Sequence, residues 1–436
     1  MTYDLVIKAG HLVTMNASGE VLSDALVCVK DGLIKKVLTP ESAEPAPPSG
    51  EIIDASSSIV APGLVNAHGH APMTLFRGLA DDLLLSDWLF NHIFPAEARH
   101  MNPENARAGT LLAAAEMLLS GTTACCDGYF FEDEVARAFA DSGMRAVAGF
   151  GMLDPVDGTD PMKNVEEAAA FALKLKGENP RISPSIFCHS PYTCSEKTLV
   201  AAKRETKRQG ILFQTHAAET RAEREESMAR HGKSPIAYLA GLGLLDQDTL
   251  LVHCVWCDDE DIKIIADTGA KVAVCTSSQM KLASGVAPVA KFLAAGVTVG
   301  LGTDGAASSN SLDMFLEMNL TAKLHKVTSL DPTALPARQA LLMATLGAAR
   351  AMGLGEVTGS IEPGKRADII VLDPEAPALN PVYDPVSALV YAASGPCVRH
   401  VLVDGKIVVK DGKITTFDLH EALKRVREIA RSIKGA

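Results

Sequence analysis

The chain has 436 residues, enough for a barrel of about 250 residues and a second domain, and its 47% hydrophobic and 22% charged residues are typical of a globular protein. The formal net charge of −12 argues against wrapping a polyanion such as DNA, because no basic surplus is present, but it is compatible with a small nucleoside as ligand. Apolar stretches such as residues 110–119 are interrupted by charges well short of a membrane span, so no transmembrane segment is predicted.

The first residues and the cysteines indicate the cellular compartment. The sequence MTYDLVIKAGHLVTMN has no basic start, no apolar stretch and no cleavage site, so it does not resemble a signal peptide. Nine cysteines, an odd number, are scattered along the chain, and several lie in apolar runs. In a chain of this size they are expected to be buried reduced thiols rather than a disulfide framework. The prediction is a cytoplasmic protein.

The two ends of the chain are similar to each other. Residues 1–60 contain β-branched runs divided by Gly and Asp, and the Asp-Gly pair at 31–32 is typical of a hairpin turn. Two further Asp-Gly pairs lie in the last part of the chain, where no helical periodicity appears before about residue 419. We therefore expect residues 1–60 and 361–436 to fold together into a small β-sandwich, with a helix at the C-terminus.

Residues 61–360 alternate between short apolar runs and segments with helical spacing. The helical segments have N-cap residues at their start and a glycine at their end. Eight strand–helix units over about 300 residues predict a (β/α)8 TIM-type barrel. A doubly wound sheet is the alternative, but no Gly-rich turn of the dinucleotide type follows the first strand. The apolar runs are SIVAPGLVNAHGH, GTTACCDG, RAVAGFGML, RISPSIFCHS, ILFQTHAAE, TLLVHCVW, KVAVCTSS and TVGLGTDG.

Polar residues end several of the predicted barrel strands. Because a barrel assembles its active site at the C-terminal ends of its strands, we expect these residues to lie close together. A single histidine at a strand end is more often a hydrogen-bonded structural residue, so each one alone is weak evidence. The residues are His68 and His70 on strand 1, His189 on strand 4, His216 on strand 5, His253 on strand 6 and Asp304 on strand 8.

His68 and His70 are the strongest candidates for metal ligands. Residues two apart on a strand point to the same side, so both imidazoles can reach one ion, and the glycine between them keeps the backbone clear. A third histidine and an aspartate from other strands would complete a set of three nitrogens and a carboxylate. That set suits one Zn²⁺ ion with a position left for water, and it also accepts Fe²⁺ or Mn²⁺.

Glu219 follows His216 by three residues in QTHAAET. A metal lowers the pKa of bound water, and a nearby carboxylate can then take the proton and deliver it to a substrate. The alternative is that Glu219 is a solvated glutamate at the start of a helix, beside Thr220 and Glu223. The spacing favours a general acid–base role and leaves the alternative open.

Several longer motifs show a family resemblance. The chain resembles the amidohydrolase superfamily and, within it, the 5-methylthioadenosine/S-adenosylhomocysteine deaminases. The segments containing MTLFRGLADD and TDGAASSNSLDMF are more specific than the paired histidines and TDG alone, which would identify only the superfamily. Matching stretches extend from about residue 60 to 373 and include PGLVNAHGHAPMTLFRGLADD, FCHSPYTCS, QTHAAET, VHCVW, GLGTDGAASSNSLDMFLEM and GSIEPGKRADIIVLD.

The resemblance implies a set of catalytic roles. It implies hydrolytic deamination, in which a metal-activated water attacks C6 of an adenine nucleoside and ammonia leaves. Asp304 would also take a proton from the water, and Glu219 would carry a proton to a ring nitrogen of the purine. His253 would hydrogen-bond the water and the developing tetrahedral centre. The metal ligands would be His68, His70, His216 and Asp304.

The resemblance also implies a nucleoside pocket. Trp88 and Glu97 would line it, with Glu97 binding the ribose hydroxyls, and His189 would contact the sugar or its 5′ substituent. Ser308 is a further pocket candidate. Without the resemblance, Trp88 would be interpreted as a helix-packing aromatic residue and Glu97 as a charge on a helix surface. Glu219 and Asp304 are also expected to contact the substrate.

The sequence departs from the family in two places. Members that act well on S-adenosylhomocysteine tend to have an arginine after strand 3, whereas here LDPVDGTDPMKNVEEA contains Lys163 and no arginine. Arg145 lies earlier, inside the strand. Methylthioadenosine or adenosine therefore becomes the preferred candidate substrate. Strand 7 ends in CTSSQMK, where CPxSN is more usual.

Two other hypotheses compete with an adenosine-type deaminase. A relative acting on guanine, a pterin or an s-triazine is a second enzyme hypothesis. Chlorohydrolase relatives have lost the glutamate and aspartate pair, and Glu219 and Asp304 are both present here. A scaffold without catalysis is disfavoured because the full ligand set is kept. The family often forms dimers or tetramers, so a homo-oligomer is expected, with no nucleic-acid polymer or membrane as partner.

Overall fold

The computed structural model describes residues 2–42, 47–155 and 157–434. Two eight-stranded sheets account for the strands of these residues. The strands are β1 Tyr3–Val13, β2 Val21–Lys30, β3 Leu33–Leu38, β4 Ser49–Pro62, β5 Leu64–Gly69, β6 Thr122–Tyr129, β7 Arg145–Met152, β8 Ile182–Cys188, β9 Leu212–Ala217, β10 Thr249–His253, β11 Lys271–Val274, β12 Val299–Leu301, β13 Ile369–Leu372, β14 Val398–Val403, β15 Lys406–Lys410 and β16 Lys413–Ile414.

The helices lie mainly between the strands of the second sheet. A π-helical turn, Trp88–Ile93, separates the first two helices. The helices are α1 Leu85–Asp87, α2 Phe94–His100, α3 Pro103–Leu119, α4 Glu132–Ser142, α5 Met162–Leu175, α6 Glu196–Gln209, α7 Arg221–His231, α8 Pro235–Gly241, α9 Asp259–Thr268, α10 Thr276–Lys281, α11 Val289–Ala294, α12 Ala306–Ser309, α13 Met314–Ser329, α14 Ala337–Met343, α15 Leu346–Ala351, α16 Pro385–Tyr391 and α17 Leu419–Lys434.

The first sheet, here called the terminal sheet, combines both chain ends in the order β16-β15-β14-β13-β4-β1-β2-β3. Asp31 and Gly32 both have positive φ, 55° and 73°, and form the predicted hairpin turn between β2 and β3. The sheet curls back on itself, because the N–H of Ile34 on β3 donates to the carbonyl of Lys365, just before β13. An apolar cluster fills the inside of this curl. The prediction that both chain ends form one β-structure is confirmed.

The second sheet is the barrel. Strands β5 to β12 pair in sequence order and all run parallel. The N–H of Asp304, after β12, donates to the carbonyl of His68 on β5 over 3.0 Å, so the last strand returns to the first. A doubly wound sheet would reverse its strand order in the middle. The predicted (β/α)8 barrel is therefore confirmed.

The helices around the barrel begin and end with the residue types that the sequence suggested. Side chains accept hydrogen bonds from backbone N–H groups of the first turn, which would otherwise have no partner inside the helix. At the opposite ends, glycines with positive φ close the last turn. The N-cap residues include Asn102, Ser195, Thr220, Ser234 and Asp258, and the closing glycines include Gly143, Gly210, Gly232 and Gly269.

One apolar run is divided between the two sheets. SIVAPGLVNAHGH was expected as a single barrel strand, but its first part belongs to β4, where Ala61 pairs with Ile370 of the terminal sheet. The barrel strand begins at Leu64. Gly63 is the junction, and a Cβ atom there would lie 2.1 Å from the Thr123 hydroxyl, so a side chain has no room. The expectation of one strand is wrong because the chain changes sheets at this glycine.

Arg145 connects the two sheets. It begins β7 at the end of the barrel opposite to the strand-end histidines, and its guanidinium contacts Asp368 and Asp404 of the terminal part, both at 2.8 Å. Arg145 and Asp368 are almost completely buried. Within the described residues, no helix has the length and apolar character needed to cross a bilayer.

Candidate active site

Three histidines converge at the C-terminal ends of the barrel strands. His68 and His70 end β5, and His216 lies near the end of β9. One ring nitrogen from each can be chosen so that all three lie within 4.8 Å of one another. The Nε2 atoms of His68 and His216 are only 3.1 Å apart. The structure thus brings together residues that are 148 positions apart in the sequence.

Asp304, which follows β12, completes the cluster. Its Oδ1 atom lies 3.4 Å from Nε2 of His70 and 3.7 Å from Nε2 of His68. Its Oδ2 atom accepts hydrogen bonds from the hydroxyls of Ser278, at 2.6 Å, and Ser308, at 2.9 Å. The two serines therefore fix the carboxylate so that Oδ1 faces the histidines.

The electrostatics of the cluster favour neutral His68 and His216 and an ionised Asp304. Burial, followed by the neighbouring imidazoles, holds the pKa of His68 and of His216 well below the usual value of 6.5. Burial alone would raise the pKa of Asp304, but Coulombic interactions with the rings of His70, His253 and His68 and the Ser278 hydrogen bond lower it below its ordinary value. Neutral imidazoles and an ionised carboxylate are the forms that bind metals.

The donor set fits a divalent cation. Two buried imidazole nitrogens 3.1 Å apart would have to share one proton to form a hydrogen bond, whereas an ion between them would satisfy both. Nδ1 of His70 is 2.6 Å from the carbonyl oxygen of Gly128, a hydrogen bond that turns Nε2 toward the cluster. Three imidazoles and a carboxylate that leave room for water are the ligands of a catalytic zinc site.

Glu219 and His253 lie next to the cluster. Oε2 of Glu219 is 3.7 Å from Nε2 of His253, and both side chains are buried. Burial lowers the pKa of His253 to about 4. Burial, together with the charge of Asp304, raises the pKa of Glu219 well above its usual value of 4.5. An imidazole with a lowered pKa and a carboxyl group with a raised pKa are thus adjacent, which suits proton transfer to a substrate.

A cavity of about 700 Å³ opens above the cluster. All the predicted site residues line it except His68, which is completely buried behind its neighbours. The predicted residues on the wall are His70, Trp88, Glu97, His189, His216, Glu219, His253, Asp304 and Ser308.

Trp88 and Glu97 form one side of the cavity. Trp88 begins the π-helical turn and Glu97 lies on α2. Oε1 of Glu97 accepts a hydrogen bond from the hydroxyl of Tyr129, at the end of β6. Burial raises the pKa of Glu97 to about 7, against the opposing effect of that hydrogen bond. Glu97 is buried and is therefore not a surface charge, whereas Trp88 lines the cavity and also packs in an apolar cluster, so both of its interpretations remain.

His189 also lines the cavity, near Phe94 of α2. Its Nδ1 atom is 2.9 Å from the Thr193 hydroxyl and 3.2 Å from the Ser190 hydroxyl, so Nε2 is the nitrogen left for a ligand. Its ring lies 5.1 Å from that of His216 and 5.9 Å from that of Phe94. Burial lowers the pKa of His189 to about 3, so the side chain is a neutral donor or acceptor.

Two residues of the site were missed in the sequence. Tyr129 binds Glu97 and Ser278 binds Asp304. Tyr129 ends β6, and Ser278 follows β11 at the start of α10, so both obey the strand-end rule that identified the histidines. Ser278 also belongs to CTSSQMK, so the segment that departs from the usual family pattern keeps a hydrogen bond to Asp304.

No lysine or arginine is among the described residues that line the cavity. Arg145 is at the far end of the barrel, bound to Asp368 and Asp404. Lys163 lies on α5 with an exposed side chain. The segment after the third barrel strand therefore supplies no cation to the cavity, as the sequence suggested.

Comparisons with known proteins agree with this geometry. A sequence model of the amidohydrolase family matches residues 59–408. The 5-methylthioadenosine/S-adenosylhomocysteine deaminase of Syntrophobacter fumaroxidans is 43% identical, over 99% of this chain and 98% of that protein. The 5′-deoxyadenosine deaminase of Methanopyrus kandleri is 42% identical, over 99% and 100%. The crystal structure of an adenosine deaminase from Xanthomonas campestris with bound zinc has a TM-score of 0.96 and 35% identity, covering 100% of this chain and 99% of that one.

Proposed function

This chain belongs to the amidohydrolase family, and we propose that it is an adenosine-type deaminase, a hydrolase acting on C–N bonds of cyclic amidines. Its substrates are adenine nucleosides of the group formed by 5′-methylthioadenosine, S-adenosylhomocysteine, 5′-deoxyadenosine and adenosine. The products are ammonia and the corresponding inosine analogue. The observation that carries the proposal is the cavity in which Glu219 and His253 lie beside the cluster of three histidines and Asp304.

In this proposal His68, His70, His216 and Asp304 hold one divalent metal ion. The ion supplies Lewis acidity, which lowers the pKa of water toward neutrality. Zinc is the ion assigned to the site, since the donor set suits it and the similar structure from Xanthomonas campestris contains it. Elemental analysis of the purified protein tests this assignment, and about one zinc per chain is the expected result.

The chain's own residues move the protons of the reaction. Water adds to C6 of the adenine ring, so a C–O bond forms at that carbon. Asp304 can accept a proton from the attacking water, because its carboxylate is ionised and Oδ1 faces the cluster. Glu219 donates a proton to ring nitrogen N1, which makes C6 more electrophilic. The C6 hydroxyl then gives its proton to Glu219 as the C6–O bond becomes a double bond, the C6–N bond breaks, and the amino group leaves as ammonia with the proton that Asp304 took from the water.

His253 stabilises the charge that develops at C6. Its Nε2 atom lies 3.7 Å from Glu219, and its side chain is fixed by the barrel and buried. A preorganised donor in a site without bulk water stabilises the transition state without any reorganisation. Glu97 accepts hydrogen bonds from the ribose hydroxyls, and Trp88, His189 and Ser308 complete the pocket around the nucleoside.

The proposal extends to the state of the protein in the cell. We infer a cytoplasmic enzyme, because eight of the nine cysteines are buried and they do not form a disulfide framework. We also infer a homo-oligomer, either a dimer or a tetramer. Sedimentation of the purified holoprotein measures the oligomeric state directly, and a monomer at all concentrations would contradict this part of the proposal.

The deaminase proposal is tested by ammonia release from the purified holoprotein. Adenosine, 5′-methylthioadenosine and 5′-deoxyadenosine are assayed beside guanine, a pterin and an s-triazine. We expect ammonia from the adenine nucleosides, with the shift in ultraviolet absorbance that accompanies conversion to inosine analogues. Turnover confined to guanine, the pterin or the triazine would replace the proposal with another deaminase, and no turnover of any compound by metal-loaded protein would contradict the enzyme assignment.

A further inference from the structure

The part of the cavity away from the metal cluster is apolar. Apart from the site residues already described, its wall consists of aliphatic and aromatic side chains. They include Leu85, Leu89, Ile93, Phe94, Phe130, Met152, Phe187, Tyr192 and Leu282. Among the described lining residues the fixed charges are carboxyl groups only, and no cationic side chain faces this space.

A second, wider cavity of about 1300 Å³ adjoins the first on the outside. Four residues line both cavities, and we call them the apolar collar: Leu85, Leu89, Tyr192 and Leu282. Any group that extends from the inner cavity to the outer one must pass these side chains. The collar offers apolar surface and the hydroxyl of Tyr192 as its only polar atom outside the backbone.

The charged side chains of the outer cavity are already paired. Arg221 donates to Glu225 at 2.7 Å, and Glu226 is bound by Arg230 at 2.5 Å. Glu223 accepts the N–H groups of Ala218 and Glu219 at the start of α7. Arg221 is the only cation among the described residues of this cavity, and two of the residues beside it are glutamates. A carboxylate entering here would find no unpaired cation and a negative surrounding.

From these observations we propose that the enzyme selects adenine nucleosides with an uncharged 5′ substituent over S-adenosylhomocysteine, whose substituent ends in an amino acid. The inference rests on the proposed function, which sets C6 at the metal cluster and the ribose hydroxyls at Glu97. C5′ is then at the end of the nucleoside far from C6, so its substituent points toward the apolar collar. A hydrogen or a methylthio group fits such a collar without losing hydrogen bonds.

The discrimination follows from the cost of moving charges out of water. An amino acid carries a carboxylate and an ammonium group, and burying either without a partner is strongly unfavourable. A binding site that accepts such a group usually supplies an arginine or lysine for the carboxylate. An apolar substituent of the same length carries no such desolvation cost, and its contact with the collar stabilises the bound state. Charge, rather than length, therefore decides which substrate is used.

The test separates charge from length by using three nucleosides with the wild-type holoenzyme. They are 5′-methylthioadenosine, S-adenosylhomocysteine and 5′-deoxy-5′-(n-butylthio)adenosine, whose butyl chain matches the homocysteine chain but has no charge. We expect kcat/KM to be similar for the methylthio and butylthio compounds and at least about tenfold lower for S-adenosylhomocysteine. A smaller difference between the butylthio compound and S-adenosylhomocysteine overturns the inference, because charge would then not be discriminated.

Two further results keep the interpretation unambiguous. If the butylthio compound is as poor as S-adenosylhomocysteine, length is the determinant and the inference is also wrong. Arg221→Ala should leave kcat/KM for S-adenosylhomocysteine within about twofold, since this arginine is exposed and paired with Glu225. A larger loss would assign the carboxylate to Arg221 and overturn the inference. Failure of the proposed function is distinct from all of these, because no adenine nucleoside would then release ammonia.

Discussion

Tyr129 donates a hydrogen bond from its hydroxyl to Oε1 of Glu97 and so joins the end of barrel strand β6 to helix α2. Both side chains are buried, and both line the cavity. The bond holds the carboxyl group of Glu97 in one orientation on the cavity wall. If Glu97 binds the ribose hydroxyls, Tyr129 acts as a positioning residue for that contact.

Tyr129→Phe should therefore weaken substrate binding more than it slows the chemical step. A hydrogen bond to a charged group contributes about 1.5–3 kcal/mol, so we expect KM to rise roughly tenfold or more. The value of kcat should change little, since the Tyr129 hydroxyl, the only atom removed, bonds Glu97, and the ring, which remains, is the part that lies 6.4 Å from the ring of His70. Steady-state kinetics with 5′-deoxyadenosine measure both constants. Tyr238→Phe, outside the cavity, is the matched control, and an unchanged KM in Tyr129→Phe would contradict the prediction.

Replacement of Glu219 by Gln should remove turnover while leaving the metal site intact. The side chain lies beside His253 and is the proposed donor to the purine ring, and general acid–base groups contribute about 10²- to 10⁴-fold to rate. We expect kcat to fall by about that factor with unchanged metal content by elemental analysis. Glu225→Gln, an exposed change on α7, the helix that follows Glu219, should behave like the wild type. Retained turnover in Glu219→Gln would exclude the proposed role.

Local patterns were sufficient to predict the fold class. The Asp31–Gly32 pair predicts the hairpin of the terminal sheet, and the eight apolar runs predict the barrel strands. The division of the first run at Gly63 was not predictable, because an unbroken apolar sequence does not reveal where a strand leaves one sheet for another. The need for glycine at this junction comes from the close approach of Thr123, a residue that is distant in the sequence.

The candidate site, like the fold, could be predicted only in part. His68, His70 and Asp304 could be identified because strand ends are recognisable in the sequence and barrel strand ends meet. Tyr129 and Ser278 lie at strand ends as well, but tyrosine and serine are common there, and only their partners distinguish them. Those partners, 32 and 26 residues away, depend on how the barrel closes.

Glu97 should make the stability of the protein depend on pH. Burial raises its pKa in the folded protein from 4.5 to about 7. A raised pKa means that the contribution is fully present below pH 4.5 and is lost as the pH rises through about 7, because the folded state resists ionisation of the carboxyl group. Relative to Glu97→Gln, the wild type should lose about 2 kcal/mol of unfolding free energy between about pH 5.5 and 8.5.

Urea unfolding of both proteins at the two pH values measures this difference. Glutamine has nearly the same shape as glutamate and can accept the Tyr129 hydrogen bond, so the comparison isolates the ionisation of Glu97. Other carboxyl groups titrate equally in both proteins and cancel. A difference that does not change with pH would show that Glu97 ionises normally in the folded protein.

Ser278 should tune the metal site through Asp304. Its hydroxyl donates to Oδ2 at 2.6 Å and thereby helps to keep Oδ1 toward the histidines. Groups that orient metal ligands typically contribute about 10- to 100-fold to metal affinity. Ser278→Ala is expected to weaken zinc binding toward the lower end of that range, because Ser308 keeps its own hydrogen bond to Oδ2.

Competition with a chelator measures the affinity change in Ser278→Ala. Ser277→Ala is the matched control, since the neighbouring hydroxyl binds Glu317 rather than Asp304. Zinc affinity should stay near the wild-type value in this control. Equal affinities in both variants would show that Ser308 alone is sufficient to orient the carboxylate.

The last prediction concerns Arg145, which joins the barrel to the terminal sheet through Asp368 and Asp404. Removing one partner of a buried ion pair leaves an uncompensated charge and costs about 3–5 kcal/mol. Arg145→Met, which keeps most of the side-chain volume, should lower the free energy of unfolding by about that amount. Lys263→Met, which breaks an exposed pair with Asp267, should change it by less than about 1 kcal/mol. Urea unfolding of both variants gives the comparison, and equally small losses would show that Asp368 and Asp404 reach water or neutralise without Arg145.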